Sequence, residues 1–205
     1  MDVSVVRATE QPRRFAGRTT DSERDESLIA NRGGFSFLFV HGLTWLVAGA
    51  LTFVLPVKTA ALIYLFQGFV AFPASLILER LLGYRTLSTR DNSLVSLFVL
   101  IAVAQGLALP ASIVVFSLDP RYLPVVFAAT NGGHFLPYSW LHRTRAYVLL
   151  ALAAAFGPFA LLVVGGPDPA FHLSGFLVGA ALLLTAWYVR RSVERRLAAA
   201  VPAEG

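Results

Sequence analysis

The sequence predicts an all-α fold, a polytopic bundle of six transmembrane helices with both chain termini in the cytoplasm. Three observations carry this prediction: the overall composition, a series of apolar segments of one length, and the placement of the arginines. Of the 205 residues, 56% are hydrophobic and 14% are charged, and the mean hydropathy is +0.66. Soluble domains carry roughly 25% charged residues. A water-soluble globular domain is therefore the wrong class for this chain.

The apolar residues fall into six segments, each near the ~20 residues that a helix needs to cross a hydrocarbon core about 30 Å thick. Short links rich in proline and glycine separate most of them, which favours antiparallel neighbours. Together the segments define a transmembrane domain over residues 35–189. The predicted spans are residues 35–55, 59–78, 93–116, 122–141, 146–164 and 171–189.

The basic residues determine the predicted orientation. Fifteen of the seventeen lie in the two terminal segments or in the second and fourth links, and only Lys58 and Arg121 lie in links on the opposite side. Lysine and arginine beside membrane spans are retained on the cytoplasmic side. With an even number of spans, this asymmetry predicts a multi-pass protein of the cell membrane with both termini inside.

The two ends of the chain are predicted to be cytoplasmic tails. Residues 1–34 contain six arginines and six acidic residues without a sustained apolar period, which is typical of a flexible segment. Residues 190–205 form the basic C-terminal tail. The first apolar segment is longer than the 7–15 residues of a signal-peptide core, so we expect it to remain as a transmembrane helix.

Several kinds of chemistry find no support in the sequence. The chain has no cysteine, which excludes thiolate nucleophiles and sulfur-ligated metals. The predicted spans hold no Asp, Glu, Lys or Arg, which argues against proton-coupled pumping and voltage sensing. Phosphate-binding and metalloprotease motifs are also missing. We therefore predict no cofactor, no metal and no nucleic-acid partner; catalytic residues cannot be assigned, and a non-enzymatic role is favoured.

Neutral polar residues at membrane depth are the remaining candidates for a site. At 1.5 Å per residue, His41 and His134 lie roughly 9–10 Å from the cytoplasmic ends of the first and fourth spans. Three amide side chains lie deeper, at about 15–18 Å. Helical spacing places each group on one face of its span, which predicts a polar cavity among the first four spans. The candidate ligand-binding residues are His134, Asn131, His41, Gln67, Gln105 and Tyr138.

Three functions remain open for this cluster. The first is binding or passage of a small polar solute through the cavity. The second is a membrane enzyme or redox protein that uses His41 and His134, since two imidazoles at one depth are the minimum for bis-histidine haem ligation. The third is a non-enzymatic accessory or signalling protein. The same residues also suit simple interhelical hydrogen bonding, worth about 0.6 kcal/mol per bond.

Two further expectations concern packing and the other histidines. Gly175 and Gly179 form a GxxxG step, which allows a second helix to approach closely, and we expect the fifth span to fill that role. His142 and His172 lie at span ends, where an interfacial position is expected. The lipid bilayer is the partner that the sequence implies, and the oligomeric state stays open.

Residues 133–141, Gly-His-Phe-Leu-Pro-Tyr-Ser-Trp-Leu, lead into the basic link His-Arg-Thr-Arg and then Ala146 and Tyr147. This stretch resembles the signature of a family of small multi-pass prokaryotic membrane proteins of unknown function, in which HFLP, an aromatic residue and a tryptophan precede a basic link. The resemblance implies a membrane protein without specifying a substrate. It directs attention to His134, which we take as the leading single functional candidate.

Overall fold

The computed structural model describes residues 17–200, and side chains up to residue 199. Within that range the chain folds into α-helices joined by short links and two 3-10 turns, Arg32–Gly34 and Pro120–Tyr122, and contains no strand. The helices are α1 Thr20–Ala30, α2 Phe35–Leu51, α3 Val57–Leu81, α4 Val95–Gly106, α5 Leu109–Leu118, α6 Leu123–Leu141, α7 Ala146–Gly165 and α8 Pro167–Ala200. The predicted all-α class is confirmed.

Helices α4 and α5 together correspond to the third predicted span. The break between them follows Gly106, and Pro110 lies in the first turn of α5. A proline ring has no N–H to donate to the preceding turn and is best tolerated at the start of a helix. The interruption of this span is therefore explained by Pro110.

Five helical segments are long and apolar enough to cross a membrane: Arg32–Leu51, Val57–Leu81, Val95–Leu118, Ala146–Gly165 and Pro167–Ala199. Many large apolar side chains are exposed on the bundle surface, including Val164, Leu118 and Leu81. An apolar exterior of this extent is unusual for a soluble protein and suits a lipid environment. These helices are compatible with a membrane protein.

The predicted fourth span corresponds to α6, which is not among those five apolar segments. Its 19 residues include Asn131 and His134, which lower its hydropathy. Helix α6 nevertheless runs from one end of the bundle to the other. Arg121, just before it, pairs with Asp168 at 3.1 Å, and His142, just after it, packs on Tyr147 at the opposite end.

Close packing of α2 against α8 forms the centre of the bundle. An ideal Cβ built on Gly175 would lie 2.6 Å from the Cα of Gly49, and one on Gly179 would lie 2.9 Å from the carbonyl oxygen of Gly42. Such contacts require glycine. The expectation that the fifth span packs on the GxxxG step is therefore wrong, because the partner is the first span of the same chain, α2.

Residues 20–34 differ from the predicted flexible tail. Thr19 caps α1 through a capping box with Ser22, which satisfies backbone N–H groups at the helix start. The buried face of α1 rests on the end of the bundle where most arginines lie, hereafter the arginine-rich end: the Asn92 amide donates to the Glu23 carbonyl at 2.7 Å. Residues 1–16 of the predicted tail lie outside the described range.

Polar contacts fix α1 to two different links. The guanidinium of Arg24 lies 4.5 Å from the ring centre of Trp140, and Arg143 pairs with both Asp21 and Asp25. Arg18 bonds the Asp91 carbonyl at 2.6 Å. Because most of these ion pairs are exposed, each adds little stability alone. The cation–π contact and the buried backbone contacts hold α1 in place.

In the C-terminal segment, α8 continues without interruption from Pro167 to Ala200. Arg190 lies over the Phe35 ring at 4.9 Å and pairs with Glu194 one turn later at 2.8 Å. Residues 190–200 are therefore helical. Residues 201–205 lie outside the described range.

Candidate ligand-binding cavity

A cavity of about 640 Å³ lies between α2, α3, α4 and α6. Cavities of 300–1,000 Å³ are typical of sites for drug-sized ligands. It extends from the arginine-rich end, where Asn31 and Gly34 border it, to Leu109 at the start of α5. The cavity thus lies among the helices for which the sequence analysis predicted a polar cavity.

Eight of the 26 residues that line the cavity are phenylalanine or tyrosine. Phenylalanine side chains enter it from α2, α3, α4 and α6, and Tyr138 and Tyr147 border it at the arginine-rich end. The Tyr138 ring lies 5.5 Å from Phe98 and 5.6 Å from Tyr147, distances at which aromatic pairs attract each other. The phenylalanines are Phe37, Phe69, Phe72, Phe98, Phe127 and Phe135.

His41 lies in the wall on α2 and is only 2% exposed. Its Nε2 accepts a hydrogen bond from the indole Nε1 of Trp45 at 3.2 Å. Since an indole only donates, a neutral His41 must carry its proton on Nδ1. That Nδ1–H is itself fully buried and lies beside the Asn131 side chain. It is therefore not accessible to a ligand in the cavity.

Asn131 lies directly behind this group. Its side chain is buried, lies beside the His41 ring, and donates from Nδ2 to the Phe127 carbonyl at 3.2 Å. Gln105 donates from Nε2 to the Asn131 Oδ1. Gln105 itself borders the cavity, whereas Asn131 does not. The two amides join α4 to α6 through a polar contact inside the bundle.

His134 borders the cavity on α6 and is half-buried. Its Nδ1 lies 3.2 Å from the Ile101 carbonyl of α4. Because a carbonyl only accepts, Nδ1 carries the proton, and Nε2 of the neutral ring is an acceptor. His134 therefore offers the cavity an acceptor at Nε2.

The remaining two candidates have different positions. Tyr138 borders the cavity one turn beyond His134, with the ring centres 5.5 Å apart. Gln67 is buried but does not border the cavity, and neither of its amide atoms has a hydrogen-bond partner among the described residues. The structure thus brings His41, His134, Gln105 and Tyr138 to one space, with Asn131 behind them and Gln67 apart.

His142 was not among the candidates, although it borders the cavity. It was expected at an interface, yet it is buried, and neither ring nitrogen has a partner among the described residues. The ring stacks on Tyr138 with centres 6.0 Å apart. His134, Tyr138 and His142 follow i, i+4, i+8 on one helix face, and this spacing was a signal available in the sequence.

Tyr147 and Glu79 were also missed. The Tyr147 hydroxyl donates to the Gly33 carbonyl at 2.6 Å, which ties α7 to the turn between α1 and α2. Glu79 was assigned to a link, but α3 continues through it to Leu81, and its side chain borders the cavity at the arginine-rich end. That Glu79 borders the cavity becomes clear only from where α3 ends in the structure.

Stability should depend on pH through His142. Burial of the ring, together with the nearby charge of Arg24, lowers the pKa of His142 from 6.5 to about 3. The unfolded chain therefore binds a proton that the native protein does not, and stability falls as the pH drops from 6.5 toward 3, by at most about 1.4 kcal/mol per pH unit. Thermal unfolding in the variant His142→Phe should show a flatter pH dependence; an unchanged slope would contradict this role.

The family model described as "Family of unknown function (DUF7010)" matches residues 20–191, which is most of the chain. The protein belongs to DUF7010. The match begins at the first residue of α1 and ends within α8, so it covers every helix that borders the cavity. The resemblance to a family of unknown function is confirmed. No curated protein and no solved structure matches the chain.

Proposed function

We propose that this DUF7010 protein binds a neutral, lipid-soluble small molecule in the cavity between α2, α3, α4 and α6. The observation that supports this most is the cavity of about 640 Å³, whose wall is mainly apolar and contains the acceptor nitrogen of His134. A ligand carrying an N–H or O–H group would donate a hydrogen bond to His134 Nε2.

The charge of the wall favours a neutral ligand. No Lys or Arg is among the described residues that border the cavity, and the carboxylate there belongs to Glu79. Glu79 accepts a hydrogen bond from the Thr86 hydroxyl at 3.4 Å and lies at the arginine-rich end. An anionic group would therefore meet no charge partner in the wall, and its desolvation would be uncompensated.

The aromatic wall favours an amphipathic ligand over a small polar solute. A polar solute would lose its hydration against six phenylalanines and regain few hydrogen bonds. An aromatic or alicyclic body would instead gain about 25 cal/mol for each Å² of apolar surface that is buried. The passage of a small polar solute, one of the hypotheses from the sequence, has less support from this geometry.

The redox alternative also has less support. Bis-histidine ligation by His41 and His134 would need a free nitrogen on each ring facing a shared metal. His41 Nε2 already accepts from Trp45, and its Nδ1 is buried beside Asn131, so neither nitrogen would reach a shared metal without a rearrangement.

We further propose that α6, the predicted fourth span, also crosses the membrane, which makes six transmembrane spans in all. We also propose that the arginine-rich end is cytoplasmic. Because the chain has no cysteine, single cysteines can be placed without background. Lys58→Cys should react with a membrane-impermeant maleimide in intact cells, whereas Thr89→Cys should react only after permeabilisation. Labelling of Thr89→Cys in intact cells would show that the orientation is the opposite of the proposed one.

A bromonaphthamide is a suitable probe for the binding site, because its carboxamide offers a donor to His134 and its rings suit the apolar wall. Trp45 is fully buried and bonded to His41, so it serves as reporter once Trp140 and Trp187 are replaced by phenylalanine. In liposomes, the probe should quench Trp45 saturably. Quenching that rises only linearly with probe concentration would count against a site.

The contribution of His134 should be separable from its packing. His134→Phe keeps a ring against Tyr138 but has no acceptor, so we expect bromonaphthamide to bind roughly fivefold to tenfold more weakly, the value of one hydrogen bond. His134→Gln retains an acceptor and should recover part of the affinity. Leu136→Phe, on the same helix but outside the cavity, is the control. Equal affinity in all four proteins would remove His134 from the site.

A further inference from the structure

The cavity has an apolar opening between α3 and α4. Phe69 and Phe72 of α3 and Val99 and Val103 of α4 all border the cavity, and yet each is more than half exposed on the outer surface of the bundle. Because α3 and α4 also make almost no direct contact, we take these four residues as the rim of an opening. The rim residues therefore connect the cavity with the surroundings of the helices.

The packing of α4 explains why this opening exists. Helix α4 contacts α6 but makes almost no direct contact with α3. In the segment Val95–Leu118, only 6% of the most hydrophobic 18-residue stretch is buried inside the protein, compared with 33% of the corresponding stretch of α3. The α4–α5 segment thus stands beside the bundle, attached mainly along one side.

The rim lies at membrane depth. Phe72 is nine residues from the end of α3, and Val103 is eight residues from the start of α4. At 1.5 Å per residue, both lie about 12–14 Å from the arginine-rich end. A hydrocarbon core is about 30 Å thick, so the opening faces acyl chains rather than water.

We propose that this opening is a lateral entrance through which the ligand reaches the cavity directly from the half of the bilayer at the arginine-rich end. This inference rests on the proposed binding function. An apolar rim offers no hydrogen bonds to a hydrated solute, whereas it presents no barrier to a molecule already dissolved in hydrocarbon. The polar group of the ligand then finds its partner only inside, at His134.

At the arginine-rich end the cavity is enclosed by other elements. Asn31 and Gly34, from the turn that follows α1, border it there, and Tyr147 bonds that turn through Gly33. The contacts of α1 with Trp140 and Arg143 hold this cover in place. The lateral opening is therefore the more accessible route.

The test closes the opening covalently. Phe72→Cys and Val103→Cys introduce the only two cysteines of the chain, and a short bifunctional maleimide joins α3 to α4 at one depth. Binding of bromonaphthamide is followed by Trp45 quenching in liposomes after rapid mixing. We expect the cross-linked protein to take up the probe at least tenfold more slowly than the same protein without cross-linker. The single variant Phe72→Cys, treated with the same reagent, should take up the probe as fast as the protein without cross-linker.

Preloading shows whether the cross-linked protein is intact. Protein that is cross-linked after it has bound the probe should retain it and release it slowly. Equal uptake rates with and without the cross-link would overturn the lateral entrance while leaving the binding function standing. If the uncross-linked protein shows no saturable quenching, the proposed function is wrong and this inference falls with it. The pair Phe69→Cys and Gly106→Cys repeats the test one turn deeper.

Discussion

Replacing Gly175 by leucine is expected to destabilise the protein strongly. The new Cβ would lie 2.6 Å from the Gly49 Cα and 2.7 Å from the Trp45 carbonyl oxygen, and both atoms belong to the backbone of α2. Neither atom is able to move without separating α2 from α8. Overpacking of this kind costs about 1–3 kcal/mol, and sometimes more.

The measurement is the fraction of monodisperse protein that remains in detergent solution after heating. Gly133→Leu is the matched control, because Gly133 also lies inside a long helix, α6, and a Cβ there meets nothing within 4 Å. Leucine has the higher helix propensity, by about 1 kcal/mol, so the control should be as stable as the parent or more so. If Gly175→Leu and Gly133→Leu melted together, the contact between α2 and α8 would not be the centre of the bundle.

Filling the cavity is expected to abolish binding without damaging the fold. Gly68 and Gly106 border the cavity from α3 and α4, and a Cβ at either position meets nothing within 4 Å. The double variant Gly68→Leu with Gly106→Leu therefore places two branched side chains in empty space. We expect it to lose at least 90% of the wild-type response to bromonaphthamide, because the probe and the leucines would occupy one volume.

The response is the rise in melting temperature that a saturating probe produces, which follows from ligand binding to the native state alone. Gly133→Leu again serves as control, since it makes the same substitution outside the cavity. A double variant that is folded and still fully stabilised by the probe would place the binding site elsewhere.

The helices could be predicted from the sequence because lipid imposes strict requirements. A span needs about 20 apolar residues and satisfies its backbone only as a helix or a barrel, and each predicted span overlaps a helix of the structure. Helix α1 was missed because it is held by tertiary contacts such as Asn92 to the Glu23 carbonyl. The apolar residues of α1 do not recur at a helical period clearly enough to predict the helix from the sequence.

The candidate site was predictable only in part. Equal depth and helical spacing indicated His41 and His134, and both border one cavity. The same reasoning included Gln67, which lies elsewhere, because depth does not fix the direction in which a helix face points. The helix that packs on Gly175 and Gly179 could not be predicted either, because any of the spans offered small residues for close packing. Helix neighbours are determined by packing between distant parts of the chain.

The most direct test of the binding site is the anomalous scattering of bromine in crystals of the protein grown from lipid with bromonaphthamide. We expect an anomalous peak inside the cavity, between Phe127 and the rings of His41 and His134, and no such peak in the Gly68→Leu, Gly106→Leu double variant. Bromine peaks found only on the outer surface of the bundle, with α4 closed against α3, would contradict both the site and its lateral opening.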